Sequence, residues 1–290
     1  LPIPLKDNVP TSRLPLVTIL LIVANIAVFA WQLTFSDSKD FSLDYPGITE
    51  RDVNTIEYGA IPYRLTHFGG QCYLGAEAVT ASSAQPAVVC KGTEEFSQAV
   101  RLHERHLASI PAPLPLDEAP WWLTVFTSMF MHGGWLHIAF NMLFLWIFGG
   151  NVEDAMGRLR FLGFYLLAGV AAIYSQCLLD PSSTQPTLGA SGAIAGVLGA
   201  YALLLPRARI LTLIFVLFFV TLVEIPAYVL LGIWFVLQFI PAVSQVAVPD
   251  LGGGGVAYFA HVGGFVFGLA LVRFFAQRRP VPAADRALLG

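Results

Sequence analysis

The polar side chains that stand out inside the apolar runs of this chain are His132, His137, Asn141, Ser191, Glu224 and His261. Such groups are costly in a membrane helix, so each needs a physical reason. Ser191 lies in Gly189-Ala190-Ser191-Gly192, at the mouth of the apolar run Ala193 to Leu205. A serine there is either a packing device or a nucleophile beside the free backbone N–H groups of a helix start, where an anion can be held. His261 stands in Ala260-His261-Val262-Gly263-Gly264-Phe265-Val266-Phe267-Gly268. A neutral histidine next to a serine can take its proton and turn a weak hydroxyl into a nucleophile. His137 and Asn141 are four residues apart and share a helical face. They either tie helices together by hydrogen bonds or, with the Ser191 N–H, stabilise an oxyanion. One such donor is typically worth about 3–4 kcal/mol. No carboxylate is spaced to orient His261, so the set reads as a Ser-His dyad.

Two helices that nearly touch are needed to bring Ser191 to His261. Gly264 and Gly268 form a GxxxG pair that allows such an approach, and His261 falls on the same stripe. The opposing run has its own small stripe of Ser191, Gly192, Ala195, Gly196 and Gly199.

Composition supports a membrane setting without any motif. Of 290 residues 56% are apolar and 12% charged, about half the charge of a soluble domain, and mean hydropathy is +0.67. The net charge of −3, with no Lys/Arg cluster, excludes nucleic acid as an expected partner. Spans are expected at 14–35, 135–151, 159–179, 191–206, 226–244 and 256–276, with 135–151 and 191–206 short for a full crossing. Ile210 to Leu222 is apolar but too short to span, and is expected to be interfacial or re-entrant. Glu224, which follows it, reads as an interfacial charge near Arg207 and Arg209. The expected fold is thus an all-α polytopic membrane protein of six transmembrane helices.

With six spans, Lys6, Arg13, Arg158, Arg160, Arg207, Arg209, Arg273, Arg278, Arg279 and Arg286 fall on one face, while 180–190 and 245–255 carry no Lys or Arg. The positive-inside rule then makes both termini cytoplasmic and puts Ser191 and His261 near the outer face. The organisation expected is a cytoplasmic segment 1–13, a first helix 14–35, an outer-face insertion 36–120, a membrane core 121–276 and a tail 277–290. Leu1 suggests a processed or excerpted chain, and its polar, proline-rich opening is not that of a signal peptide. The insertion holds twelve of the nineteen acidic residues. Thr93 is expected to cap a helix there. Cys72 and Cys90 read as a disulfide, with a zinc site including His103 and His106 as the sharper alternative.

These motifs in this order resemble the rhomboid family of intramembrane proteases. The resemblance covers roughly 121–276 and the first span. It rests on His132-x4-His137-x3-Asn141, Gly189-Ala190-Ser191-Gly192, Ala260-His261 with Gly264 and Gly268, and Gly149-Gly150-Asn151-Val152-Glu153. It implies six helices around a cavity open to the outer face. It also implies peptide-bond hydrolysis in or beside the transmembrane segment of a membrane-protein substrate, with no metal or cofactor. Ser191 would be the nucleophile and His261 the base. His137, Asn141 and the Ser191 N–H would bind the oxyanion, and His132, Gly189, Gly192, Gly264 and Gly268 would have supporting roles. Three features depart from the family pattern. Leu123-Thr124 replaces a Trp-Arg pair, leaving Trp122 as an interfacial anchor. Ala195 stands where some members stack an aromatic on the base. The insertion is long.

The other function classes are a rhomboid-like factor that binds membrane proteins or serves quality control without strong catalysis, and a transporter. The first generally lacks the serine or the histidine; the second should show interrupted repeats, which are absent. A soluble hydrolase elbow is excluded by Ala193 at its last glycine position. A prokaryotic plasma membrane is the expected location.

Overall fold

The computed structural model of the chain describes residues 2–37, 48–80, 83–105, 112–117, 119–216, 219–247 and 256–278. Most of the loop expected at 245–255, nearly all of the tail and His106 lie outside them. The chain divides into two compact units. One comprises Leu1–Ile26, Gly134–Gln176 and Gly189–Gly290, the other Ala27–Gly133 and Cys177–Leu188.

The first unit opens with strand β1 (Ile3–Asp7) and helix α1 (Leu16–Gln32), whose last residues belong to the second unit. The second unit contains α2 (Glu50–Tyr58), α3 (Pro62–Thr66), β2 (Cys72–Thr80), β3 (Ser83–Cys90), α4 (Glu94–Arg105), β4 (Leu114–Pro115) and α5 (Trp121–Thr127). Thr49 caps α2 in a reciprocal box with Asp52. Thr93 Oγ1 accepts the Phe96 N–H at 3.2 Å, which starts α4 where expected. Strands β2 and β3 pair with Cys72 directly opposite Cys90, and the two are disulfide-bonded. Neither sulfur is then a thiolate ligand, so the zinc reading of the insertion is not carried forward. Ile56, Ile61, Tyr63 and Val88 close a small core around this bridge.

The rest of the first unit is α6 (Trp135–Met156), α7 (Arg158–Leu179), α8 (Ser191–Leu204), β5 (Arg209–Val216), β6 (Phe219–Pro226), α9 (Ala227–Ala247) and α10 (Tyr258–Phe275). Helices dominate, but two three-stranded antiparallel sheets, β1-β5-β6 and β3-β2-β4, correct the all-α expectation. The stretch taken as interfacial or re-entrant is the β5–β6 hairpin. Its β-branched run of Ile210, Thr212, Ile214, Val220, Thr221, Val223 and Ile225 suits an extended pleat better than a helix. Glu224 sits on β6, 3.8 Å from Arg209. Both partners are exposed, so the pair adds little.

Among the described residues, four helices are long and apolar enough to cross a membrane: α6, α7, α9 over Ala227–Gln245, and α10. The chain is therefore an integral membrane protein. Helix α6 does not stop near 151 as expected but runs to Met156, 22 residues in all. Its polar final turns persist because the N-terminal segment satisfies them. Asn151 Nδ2 donates to Asp7 Oδ2 at 2.7 Å and to the Val9 carbonyl at 3.0 Å. Glu153 accepts the Val17 and Thr18 N–H groups at 3.0 and 2.8 Å, closing the start of α1.

Helix α8 is the centre of the first unit. Every residue from Gly192 to Tyr201 is buried, as befits a helix apolar on all sides. On one side, Cβ atoms at Gly264 and Gly268 would overlap the carbonyls of Gly192 and Gly196. On another, a Cβ at Gly192 would lie 2.6 Å from Ala172 of α7. Only small residues permit this contact, in which α8 and α10 run parallel with their backbones touching.

Candidate active site

Parallel packing sets the first turns of α8 and α10 side by side. Ser191 is the first residue of α8 and His261 lies in the first turn of α10. Their side chains meet: Ser191 Oγ is 2.8 Å from His261 Nε2. The other ring nitrogen, Nδ1, is 2.8 Å from Gln238 Oε1 on α9. An amide oxygen only accepts, so Nδ1 carries the proton and Nε2 presents its lone pair to the serine hydroxyl. Trp234, one turn before Gln238, lies against the same imidazole with ring centroids 6.0 Å apart, and also against Phe265. The His261 imidazole is thus oriented from α9, although Ala195 offers no aromatic from α8.

Neither Gln238 nor Trp234 was singled out from sequence. Gln238 did leave a signal, as an uncharged but strongly polar side chain within the span Ala227–Gln245. Such a group in an apolar helix calls for a partner in the same way as a histidine does.

The loop before Ser191 has a second constraint. Gly189 has φ +116°, a region that L side chains rarely adopt. A Cβ there would lie 2.7 Å from His137 Nε2 and 3.6 Å from Ser191 Oγ. Glycine is needed both for the turn and to let the His137 ring approach Ser191. Helix α8 has no side-chain cap, and the Ser191 N–H has no hydrogen-bond partner among the described residues. Asn141 is buried, and its Nδ2 donates to the His137 carbonyl at 2.9 Å. That bond turns the amide onto its own helix and leaves one of its two N–H groups for another acceptor.

His132 belongs to the second unit and is buried there. Its backbone N–H donates to Gln32 Oε1 at 3.0 Å, and its Nδ1 to the Phe130 carbonyl at 3.2 Å. Both contacts hold the chain just before α6. Trp122, by contrast, is more than half exposed at the start of α5.

A family model described as the Rhomboid domain matches residues 119–278. This chain belongs to the rhomboid family. The match includes His132, His137, Asn141, Ser191, Gln238 and His261. Among relatives, Rhomboid protein 1, mitochondrial, of Saccharomyces cerevisiae is 31% identical over 152 residues, 51% of this chain and 40% of that protein. Rhomboid protease GluP of Bacillus subtilis is 41% identical over 85 residues, 29% of this chain and 16% of that protein. Presenilin-associated rhomboid-like protein, mitochondrial, of Bos taurus is 36% identical over 85 residues, 29% of this chain and 22% of that protein. This rhomboid chain thus spans 40% or less of the length of these relatives.

Proposed function

We propose that this rhomboid is a serine endopeptidase that cuts membrane proteins within or beside a transmembrane segment. The observation that carries the reading is the chain of contacts Ser191 Oγ, His261 and Gln238, each 2.8 Å from the next. His261 Nε2 takes the hydroxyl proton as Ser191 Oγ attacks the scissile carbonyl carbon. The resulting oxyanion is held by the Ser191 N–H, His137 and the spare N–H of Asn141. His261 then passes its proton to the leaving amine, and an acyl-enzyme forms. Water, deprotonated by the same imidazole, releases the acid and restores the serine. Gln238 keeps the tautomer that these transfers need; it is a positioning residue and touches no reacting atom. The oxyanion groups and the glycines at 189, 192, 264 and 268 have the supporting roles that the motifs imply.

We further read α1, α6, α7, α8, α9 and α10 as six spans, with both termini on the cytoplasmic side. Helix α8 has 14 residues and is roughly 21 Å long at about 1.5 Å per residue. That is shorter than the hydrocarbon core of about 30 Å. With Arg207 and Arg209 just beyond its far end, Ser191 would lie below the outer surface, at the depth of a substrate helix.

Among the relatives given above, the name of the Bacillus protein carries a protease, while the names of the mitochondrial ones do not. The mitochondrial names count against a prokaryotic plasma membrane as the location. The runner-up, a membrane-protein binding or quality-control factor, would make the serine–histidine contact dispensable. Cleavage of a reporter transmembrane substrate by the purified chain separates the two. Ser191→Ala and His261→Ala should each abolish cleavage without lowering the melting temperature. Full activity in a folded Ser191→Ala variant would sink the mechanism.

A further inference from the structure

A cleft of about 560 Å³ lies at the end of the first unit opposite Ser191, where the start of α1, the α6–α7 turn and the segment after α10 meet. Arg13, Arg158, Arg160 and Arg278 line it, together with Glu153 and Asp154. Both carboxylates are already occupied. Glu153 accepts from Val17 N, Thr18 N and Thr18 Oγ1. Asp154 accepts from Ser12 and from the Arg278 guanidinium. The other three arginines, 13, 158 and 160, form no ion pair among the described residues. Three exposed arginines without an ion pair among the described residues therefore line one concave site.

The level of the site follows from the helices. The candidate spans α6, α7 and α10 all end or begin at this cleft, so it sits where apolar helix gives way to water. Leu14 and Leu159 also line it, and they are 64% and 86% exposed. An anion with an apolar tail would use both features; a free anion would use only the first.

We propose that this cleft binds the phosphate of an anionic phospholipid, with Arg13, Arg158 and Arg160 on the phosphate oxygens and Leu14 and Leu159 along the acyl chains. The planar guanidinium matches phosphate oxygens in pairs, and basic pockets between transmembrane helices suit anionic headgroups. Inorganic phosphate shares the arginine chemistry and is the alternative source of the anion.

Native mass spectrometry of the full chain tests the assignment, with phosphatidylglycerol or phosphatidylcholine titrated in and inorganic phosphate added as competitor. The expected result is one phosphatidylglycerol held at least tenfold more tightly than phosphatidylcholine. The double variant Arg158→Gln/Arg160→Gln should weaken it by about tenfold or more, at roughly 1 kcal/mol per surface arginine. Arg158→Lys/Arg160→Lys, which keeps the charge, should fall between the two and guards against a folding defect, with melting temperature as the check. Arg273→Gln, at the same end but outside the cleft, should change nothing. An equal loss in Arg273→Gln would mean diffuse surface charge and overturn the site. Equal retention of phosphatidylcholine would do the same. Phosphate that competes while phosphatidylglycerol binds no better would overturn the lipid assignment. None of these outcomes depends on peptidase activity, since no residue near Ser191 lines the cleft.

Discussion

The two ends of α8 show two uses of buried polarity. At its C-terminal end, Tyr201 OH donates to Asp7 Oδ2 at 2.7 Å, and Asn151 donates to the same oxygen. Nearby Glu153 and Asp154 have protein donors on every carboxylate oxygen. At its N-terminal end, Ser191 Oγ has a single strong acceptor and the Ser191 N–H has none among the described residues. The first arrangement has its carboxylate oxygens engaged by donors of the protein itself and ties the start of the chain to α6 and α8. The second keeps unused donors beside a hydroxyl whose proton has somewhere to go, which is what a substrate carbonyl needs. Unused donors beside a hydroxyl, rather than buried polarity as such, are therefore the physical mark that separates the candidate site from the structural cluster.

The largest effect is expected at the seam of α8 and α10, which joins the two ends. Gly264→Leu would drive a side chain into the Gly192 carbonyl. It should cost more than about 4 kcal/mol, since the backbones cannot part without losing the whole contact. Loss of both the cooperative melt and Ser191 reactivity is expected. Glu153→Ala should lower stability by roughly 2–4 kcal/mol, because it leaves the first N–H groups of α1 without their acceptor. Per folded molecule it should leave cleavage intact, measured by active-site titration beside a thermal melt.

Gln238→Leu sharpens the other side. It should leave the melting temperature nearly unchanged yet slow cleavage about tenfold to a hundredfold, less than loss of a general base that contributes roughly 10²–10⁴-fold. Gln238→Glu still accepts from Nδ1 and should restore most of the rate. A merely structural glutamine would show the opposite pattern, with stability lost and the rate per folded molecule kept.

The smallest effect concerns Asp7. Burial pushes its carboxyl above the ordinary value of 3.8, only partly countered by hydrogen bonds from Tyr201, Val9 and Asn151. The folded state then holds this proton more tightly than the unfolded state. The Asp7 contribution is greatest below pH 3.8 and falls as pH rises through the raised value. Asp7→Asn should flatten that slope in a melt series across acidic pH, with little change in cleavage.

Much of the site could be read in the chain because its elements are local. Gly264 and Gly268 lie on one stripe with His261, and the small residues after Ser191 form the matching stripe, so periodicity alone paired α8 with α10. What escaped came from elements far apart in sequence. Gln238 reaches His261 across 23 positions, and an apolar run does not reveal which of its faces turns toward a histidine. The β5–β6 hairpin was missed because an apolar run of that length has no helix or strand period strong enough to decide between them. Helix α6 outran its apolar stretch because Asn151 and Glu153 are satisfied by residues some 140 positions earlier. Local pattern shows which side chains need partners, but only tertiary structure supplies them.

The central claim is that Ser191 is a nucleophile made reactive by His261. Its most direct test is labelling of the intact, membrane-reconstituted chain with a serine-directed fluorophosphonate, followed by peptide mapping. Adduct on Ser191 is expected in the wild-type chain, with at least tenfold slower labelling in His261→Ala. No adduct on Ser191, or equal labelling without the histidine, would contradict the claim.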